Sequence, residues 1–470
     1  MSPIVYRTVE ILAALVVTLP VGTNLALLYV LFSLVSGRLL VHRGALVPAL
    51  ADTGLGPAMV LRGWRVLGHG RWQCATLIAA FQRKVEEEGL WQPYSCAGFE
   101  PVACDTTAFF RPSLRGCDTA HFHADAKRTM AALPFGLAVR VGFVNDRRIP
   151  VPMAIVRPAR KEQAAPSAET SAETSAGKSD KTSDETALMQ RTLQEVKAQL
   201  RPNQVVIGDR GFGVALMQKS GVPHWLVRCA RNAVAYDATP PAYSGRGRPP
   251  VHGARVRPLA RRYKGNLLEA KPPTHETQWD DVRGRYRACN WENLTSKGAP
   301  AAAAPFRMVA IHDPAYKEPL LLATTLPARV PPQALCELYR QRWPVEMVPQ
   351  TAKQMLGAER QFVFGQESRW RLPELILLAG CVMLYLAATL PAVATGFWDR
   401  TPIRTAGRLR RVLTREPFPH TWPFADIIRK KNAVTAHLAK GVDAHRRKPS
   451  ALKRPNQAPK RRSKTKVTRN

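Results

Sequence analysis

The chain has 470 residues, 45% of them hydrophobic, with 69 Lys and Arg against 35 Asp and Glu, a formal net charge of +34. That length suggests roughly two to four domains, the apolar fraction is ample for a large core, and the charge calls for a polyanionic partner, nucleic acid first and an anionic membrane surface second. Its 8 Cys form no C-x-x-C pair, which leaves zinc-finger and redox motifs without support and fits a reducing cytosol.

Residues 1–92 read as a helical N-terminal domain and a DNA-binding candidate. Ile11–Val35 is uncharged and long enough to span a membrane. Pro20, Gly22, Thr23 and Asn24 divide it into two pieces nearer the length of buried helices, so a buried pair is favoured over a span. Helices are also expected over Ala45–Gly56, Ala58–Leu67 and Gln73–Gly89, the last stopped by its glycine.

From Glu100 the period changes. Strands are expected at Val102–Phe110, Leu137–Val144 and Ile149–Val156, with Asn145-Asp146 turning the last two into a hairpin. Residues 160–187, with S-A-E-T repeated, read as a disordered linker. Ala187–Leu200 is an amphipathic helix, Val205–Ile207 a short strand ending at Gly208-Asp209, Gly213–Ser220 a helix and His224–Cys229 a strand. This order predicts a mixed α/β sheet over 100–236. A β-rich insertion follows at 237–330, with strands at Tyr286–Trp291, Arg307–His312 and Leu320–Thr325. Pro332–Gly357 and Leu372–Ala394 return to helix within a segment, 331–400, that closes the core. The remaining residues, 401–470, hold 20 Lys and Arg against Glu416, Asp426 and Asp443 alone. That composition suits a phosphate-binding arm with a disordered tail, or a tail serving solubility.

Three carboxylates stand where chemistry could use them. Asp105 lies in the first strand, Asp209 directly follows a buried strand, and Glu346 belongs to Tyr339-x2-Arg342-x3-Glu346-x6-Lys353. On a straight helix at about 100° per residue, Arg342, Glu346 and Lys353 fall at about −60°, −20° and −40° from Tyr339. One carboxylate, two cations and a phenol would then share a narrow stripe, an arrangement suited to a metal held against a polyanion. Acids at strand ends are common turn residues, so only the joint arrangement carries weight.

Cys104-Asp105-Thr106-Thr107, Gly208-Asp209-Arg210-Gly211 and the Tyr339…Arg342…Glu346…Lys353 series together resemble the DDE transposases of bacterial insertion sequences, in the insertion-sequence-four-like branch marked by a Y-R-E-K signature. The likeness covers roughly 100–395. It implies an RNase H-like core in which Asp105, Asp209 and Glu346 bind two Mg2+ (or Mn2+) ions, with Asp105 bridging. The implied activity is cut-and-paste: cleavage at transposon ends, then strand transfer into target DNA, by a dimer in a synaptic complex in the bacterial cytoplasm, associated with the nucleoid. Tyr339, Arg342 and Lys353 would contact double-stranded DNA at its phosphates, with Arg210 beside them. If release passes through a hairpin, Trp291 or Trp279 would stack on a flipped base, although core packing explains either equally well. One departure is Pro344 and Pro349 flanking Glu346: an interior proline removes a helical hydrogen bond. A break at Pro344 would put Tyr339 and Arg342 on a different axis from Glu346 and Lys353.

Ser244–Pro250 contains Arg246-Gly247-Arg248-Pro249, which fits a minor-groove hook, a phosphate contact from Arg246, Arg248 and Arg255, or a solvated turn. Asp118, His121, His123 and Asp125 crowd what reads as a loop, with no standard zinc spacing. No phosphate-binding G-x4-G-K-[ST] loop supports a use of ATP, and no G-x-S-x-G elbow is present. Two alternatives remain open: a transposase relic that binds DNA without cutting it, and, more remotely, a basic membrane-anchored protein.

Overall fold

In the computed structural model, residues 2–114, 117–123, 125–159, 180–243, 245, 250–282, 284–300 and 302–431 are described. The helical N-terminal segment comprises α1 (Pro3–Val16), α2 (Thr23–Val35), α3 (Arg38–Val41), α4 (Leu46–Ala51), α5 (Pro57–His69) and α6 (Cys74–Glu88). Ser2 caps α1 by accepting from the Ile4 N–H, with Pro3 in the first turn, where its missing N–H costs nothing. The expected division near Pro20 is present: the chain turns between α1 and α2, and Gly22 takes φ +85. Gly89, at φ +63, ends α6.

The strands follow as β1 (Gln92–Pro93), β2 (Glu100–Phe110), β3 (Ala120–His123), β4 (Arg128–Val144) and β5 (Arg147–Val156). Next come α7 (Asp180–Lys197), β6 (Gln204–Gly208), α8 (Val214–Ser220) and β7 (Trp225–Arg228). β4 and β5 form the expected hairpin, Val144 opposite Arg147, with Asn145 at φ +56. β2 pairs antiparallel with β4 and parallel with β6, and β6 pairs parallel with β7. The order β5-β4-β2-β6-β7 is a mixed sheet consistent with an RNase H-like nuclease fold.

Two expectations need correction. Residues 180–187 are not linker but the first turns of α7. Leu188, Met189, Leu193 and Val196 are buried against the sheet, and that anchored face carries the helix back into polar sequence; residues 160–179 lie outside the described ones. His121 and His123 stand on β3, paired with Met130 and Arg128 of β4, rather than in a loop. The segment 237–330 is β-rich, and its strands extend the core sheet. It contains β8 (Ala235–Asp237), β9 (Arg255–Val256), β10 (Arg261–Tyr263), β11 (Asn266–Leu268), β12 (His275–Asp281), β13 (Gly284–Thr295), β14 (Phe306–His312) and β15 (Leu320–Thr324). β15 pairs with β7 and β14 with β15, so the sheet simply continues outward.

The chain then forms α9 (Pro332–Arg340), α10 (Pro344–Met355), α11 (Ser368–Thr389) and α12 (Ala406–Arg415). Strand alternation sorts the two faces of the sheet. Ala103 and Phe109 of β2 join the core shared by the N-terminal helices, α10 and α11, whereas Val102 and Cys104 face the core that includes α7 and α8. Gly136 allows α7 its close approach: a Cβ there would lie 1.8 Å from Thr192 Oγ1. Residues up to Arg429 form one compact unit, and the N-terminal helices share their core with α11 and the sheet instead of closing on a core of their own. α11 is long and apolar enough to cross a membrane, yet it is enclosed within that core, packed on α2, α6, α10 and β5.

Candidate active site

Parity along β2 places Asp105 with Ala103 and Phe109, on the face that α10 covers. Its carboxylate accepts the Thr106 N–H at 2.8 Å. Asp209 follows the end of β6, next to β2, and caps the 3-10 turn Arg210–Phe212 by accepting the Gly211 N–H at 2.8 Å. Gly208 keeps that turn tight, because a Cβ there would come 2.7 Å from Phe212 Cβ. Two parallel neighbouring strands thus carry two acids to one end of the sheet.

The third acid arrives on a broken helix. The straight stripe calculated from the sequence does not form: α9 ends at Arg340, residues 341–343 turn, and α10 begins at Pro344. Pro344 sits in the first turn, where a proline fits. Tyr339 therefore belongs to α9, Arg342 to the turn, Glu346 to the first turn of α10 and Lys353 to its last. Pro349 lies inside α10 without ending it.

Arg342 links two of the acids, Asp105 and Glu346. Its guanidinium is ion-paired with Glu346 and lies 3.8 Å from the Asp105 carboxylate. Burial raises the Asp105 carboxyl to about 6, and the charges of Asp209 and Glu346 push the same way, against Arg342 and the Thr106 hydrogen bond. Burial also raises the Tyr339 hydroxyl, opposed by the nearby Arg342 and Arg228. Burial depresses Lys353, partly offset by Glu359. Its ammonium lies 3.9 Å from Glu359 and 5.7 Å over the Phe109 ring, away from the acids.

A cleft of about 450 Å³ opens beside Asp209, lined by Arg210, Arg228, Arg231, Tyr339 and Arg342 among others. Arg210 is exposed there. Arg228 and Arg231 were not singled out from the sequence; the available signal was a pair of arginines at the end of a buried strand. Arg231 is ion-paired with Glu318 across the cleft. Of the stacking candidates, Trp291 is corrected to a packing residue. It is 4% exposed, and its indole N–H donates to the Lys271 and Pro272 carbonyls. Trp279 is half-buried and stacked on Tyr286 at 5.1 Å, in a separate recess beside Arg340. Arg246 and Arg248 lie outside the described residues; Arg255 is exposed on β9.

The donor set is of carboxylate oxygens only, the ligand type that a hard divalent cation takes. With Arg342 between them, no group of three metal-binding side chains is assembled among the described residues. The family model described as DDE superfamily endonuclease matches residues 64–297, which include Asp105 and Asp209 and stop short of Glu346. The match supports a DDE-type transposase family. DNA is the implied substrate, and nucleases of this superfamily generally use divalent metal ions such as Mg2+. No curated protein matches the chain.

Proposed function

We propose that the protein is a cut-and-paste DNA transposase of the Y-R-E-K branch, cutting at transposon ends and joining them to target DNA. The observation that supports this reading is Arg342 pairing with Glu346 and lying 3.8 Å from Asp105, with Asp209 on the neighbouring strand end of a mixed sheet, in a chain of net charge +34. Asp105, Asp209 and Glu346 would hold two Mg2+ or Mn2+ ions. When bound, such ions supply Lewis-acid activation of the attacking oxygen and stabilisation of the leaving one. The chain's own groups do the rest. Arg342, Tyr339 and Arg210 line the acid cleft and supply donors for phosphate oxygens. Lys353 adds a cation farther along α10. Synapsis of two transposon ends calls for a dimer.

A second reading, a relic that binds DNA without cutting, is favoured by the Arg342 pairing that occupies two of the three acids. Incubating the purified protein with a plasmid carrying its element's ends separates the two. On the transposase reading the protein nicks that plasmid only with Mg2+ or Mn2+, and Glu346→Gln abolishes nicking while binding persists. Binding without nicking by the unaltered protein establishes the relic. Unchanged nicking by Glu346→Gln refutes the metal-site assignment.

A further inference from the structure

Beyond Lys353 the chain leaves α10, and 360–364 belong to neither helix nor strand. Buried Gln361 and Val363 alternate with exposed Arg360, Phe362 and Phe364. The two phenylalanines are 57% and 56% exposed, a costly arrangement for a pair of large apolar rings unless something covers them. The segment is firmly held. Phe362 N–H donates to the Gly44 carbonyl at 3.1 Å, the Gln361 amide donates to the Ala358 carbonyl at 2.6 Å, and the Arg111 guanidinium donates to the Val363 carbonyl at 3.1 Å.

Chemistry chooses the occupant. Exposed aromatic faces are surfaces on which nucleobases stack. Cations surround the pair. Arg111 lies 5.6 Å over the Phe364 ring, and one of its guanidinium nitrogens, buried, has no hydrogen-bond partner among the described residues. Arg360 and Arg43 are exposed alongside. Arg111 directly follows β2, six residues beyond Asp105, so the site lies roughly 20 Å along the sheet from the acids. Aromatic faces set among arginines are the general means of holding unpaired nucleotides.

We infer that Arg360, Phe362 and Phe364, backed by Arg111, form a stacking site for an unpaired base of the DNA strand that passes the acid cleft, a role that rests on the DNA-cutting reading above. The test is binding by the full chain, without divalent metal, of a duplex bearing a short single-stranded tail with 2-aminopurine in the tail, against the same duplex with blunt ends. The unaltered protein binds the tailed DNA more tightly and quenches the 2-aminopurine. Phe362→Ala/Phe364→Ala loses quenching and at least ~10-fold in affinity for the tailed DNA, with blunt-duplex affinity changed less than ~2-fold. Phe362→Tyr/Phe364→Tyr keeps both signals, and Phe362→Leu/Phe364→Leu loses them. Retention of tailed-DNA affinity by the alanine pair overturns the inference, as does equal retention by the leucine pair, which would mark an apolar protein-docking patch. Because nicking is not the readout, failure of the nuclease reading and failure of this site are separately visible.

Discussion

The Asp105 carboxyl gives the sharpest test of the acid cluster. Its ordinary value is 3.8, and burial beside Asp209 and Glu346 raises it to about 6. A group held higher in the fold than in the unfolded chain destabilises the fold once ionised, here by about 3 kcal/mol. The sign is definite: the cost is absent below about pH 3.8, grows between there and about pH 6, and is complete above. Asp105→Asn keeps the side-chain shape and an oxygen for the Thr106 N–H while removing the charge. Arg342 loses its 3.8 Å partner but keeps Glu346. The variant should therefore be more stable than the unaltered protein by about 1–3 kcal/mol near pH 8, with a gap about 2 kcal/mol smaller near pH 4.5. Urea unfolding at both pH values measures it. Added Mn2+ should raise the midpoint of the unaltered protein more than that of the variant. A gap that does not change with pH, or a variant less stable at about pH 8, refutes the idea that burial, with the nearby acids, opposes ionisation of Asp105 in the metal-free fold.

Three further outcomes are expected. Arg342→Gln frees two carboxylates, so calorimetry should show Mn2+ binding at least several-fold tighter than in the unaltered protein, while nicking falls because a phosphate donor is gone; weaker Mn2+ binding would show that Arg342 is not competing for the acids. Gly44→Ala places a Cβ 1.1 Å from the Arg360 carbonyl oxygen at a backbone φ of +89, so segment 360–364 must detach, seen as new cleavage there in limited proteolysis. Glu374, 5% exposed, is raised by burial yet held by Arg157. Glu374→Gln should cost about 1–3 kcal/mol, because Arg157 loses its buried partner but keeps Glu367 at 2.8 Å, read as a lower urea midpoint.

The elements that are legible in the sequence are those whose burial pattern is local. β2, the β4–β5 hairpin, α8 and β7 announce themselves by alternation or by punctuation at Asn145, Gly208 and Gly221. What the sequence could not show is where a segment spends its apolar face. α7 extends back into a Ser/Thr/Glu-rich stretch because Leu188, Leu193 and Val196 anchor it on the sheet. That the strands of 237–330 extend the core sheet is not legible in the sequence, because β-pairing between β7 and β15 spans about a hundred residues and leaves no local mark. Trp291 and Trp279 are indistinguishable as sequence; burial and indole hydrogen bonding separate them. Arg228 and Arg231 enter the cleft only because β7 stops beside Asp209.

The prolines around Glu346 shape the site. On a straight helix Arg342 and Glu346, four residues apart, would already be neighbours, but both would be fixed to one axis with Tyr339. The break at Pro344 sets Arg342 in a turn, where it pairs with Glu346 on α10 and still reaches Asp105 on β2. Three carboxylates inside a chain of net charge +34 need a counterion before any metal or DNA arrives, and Arg342 is the cation in position to act as one. The same guanidinium lines the cleft with Tyr339 and Arg210, so a phosphate entering there competes with the acids for it. On the proposed reading, loading the acids and gripping the DNA are then one exchange: whatever draws Arg342 toward the backbone phosphate also uncovers the carboxylates that cut it.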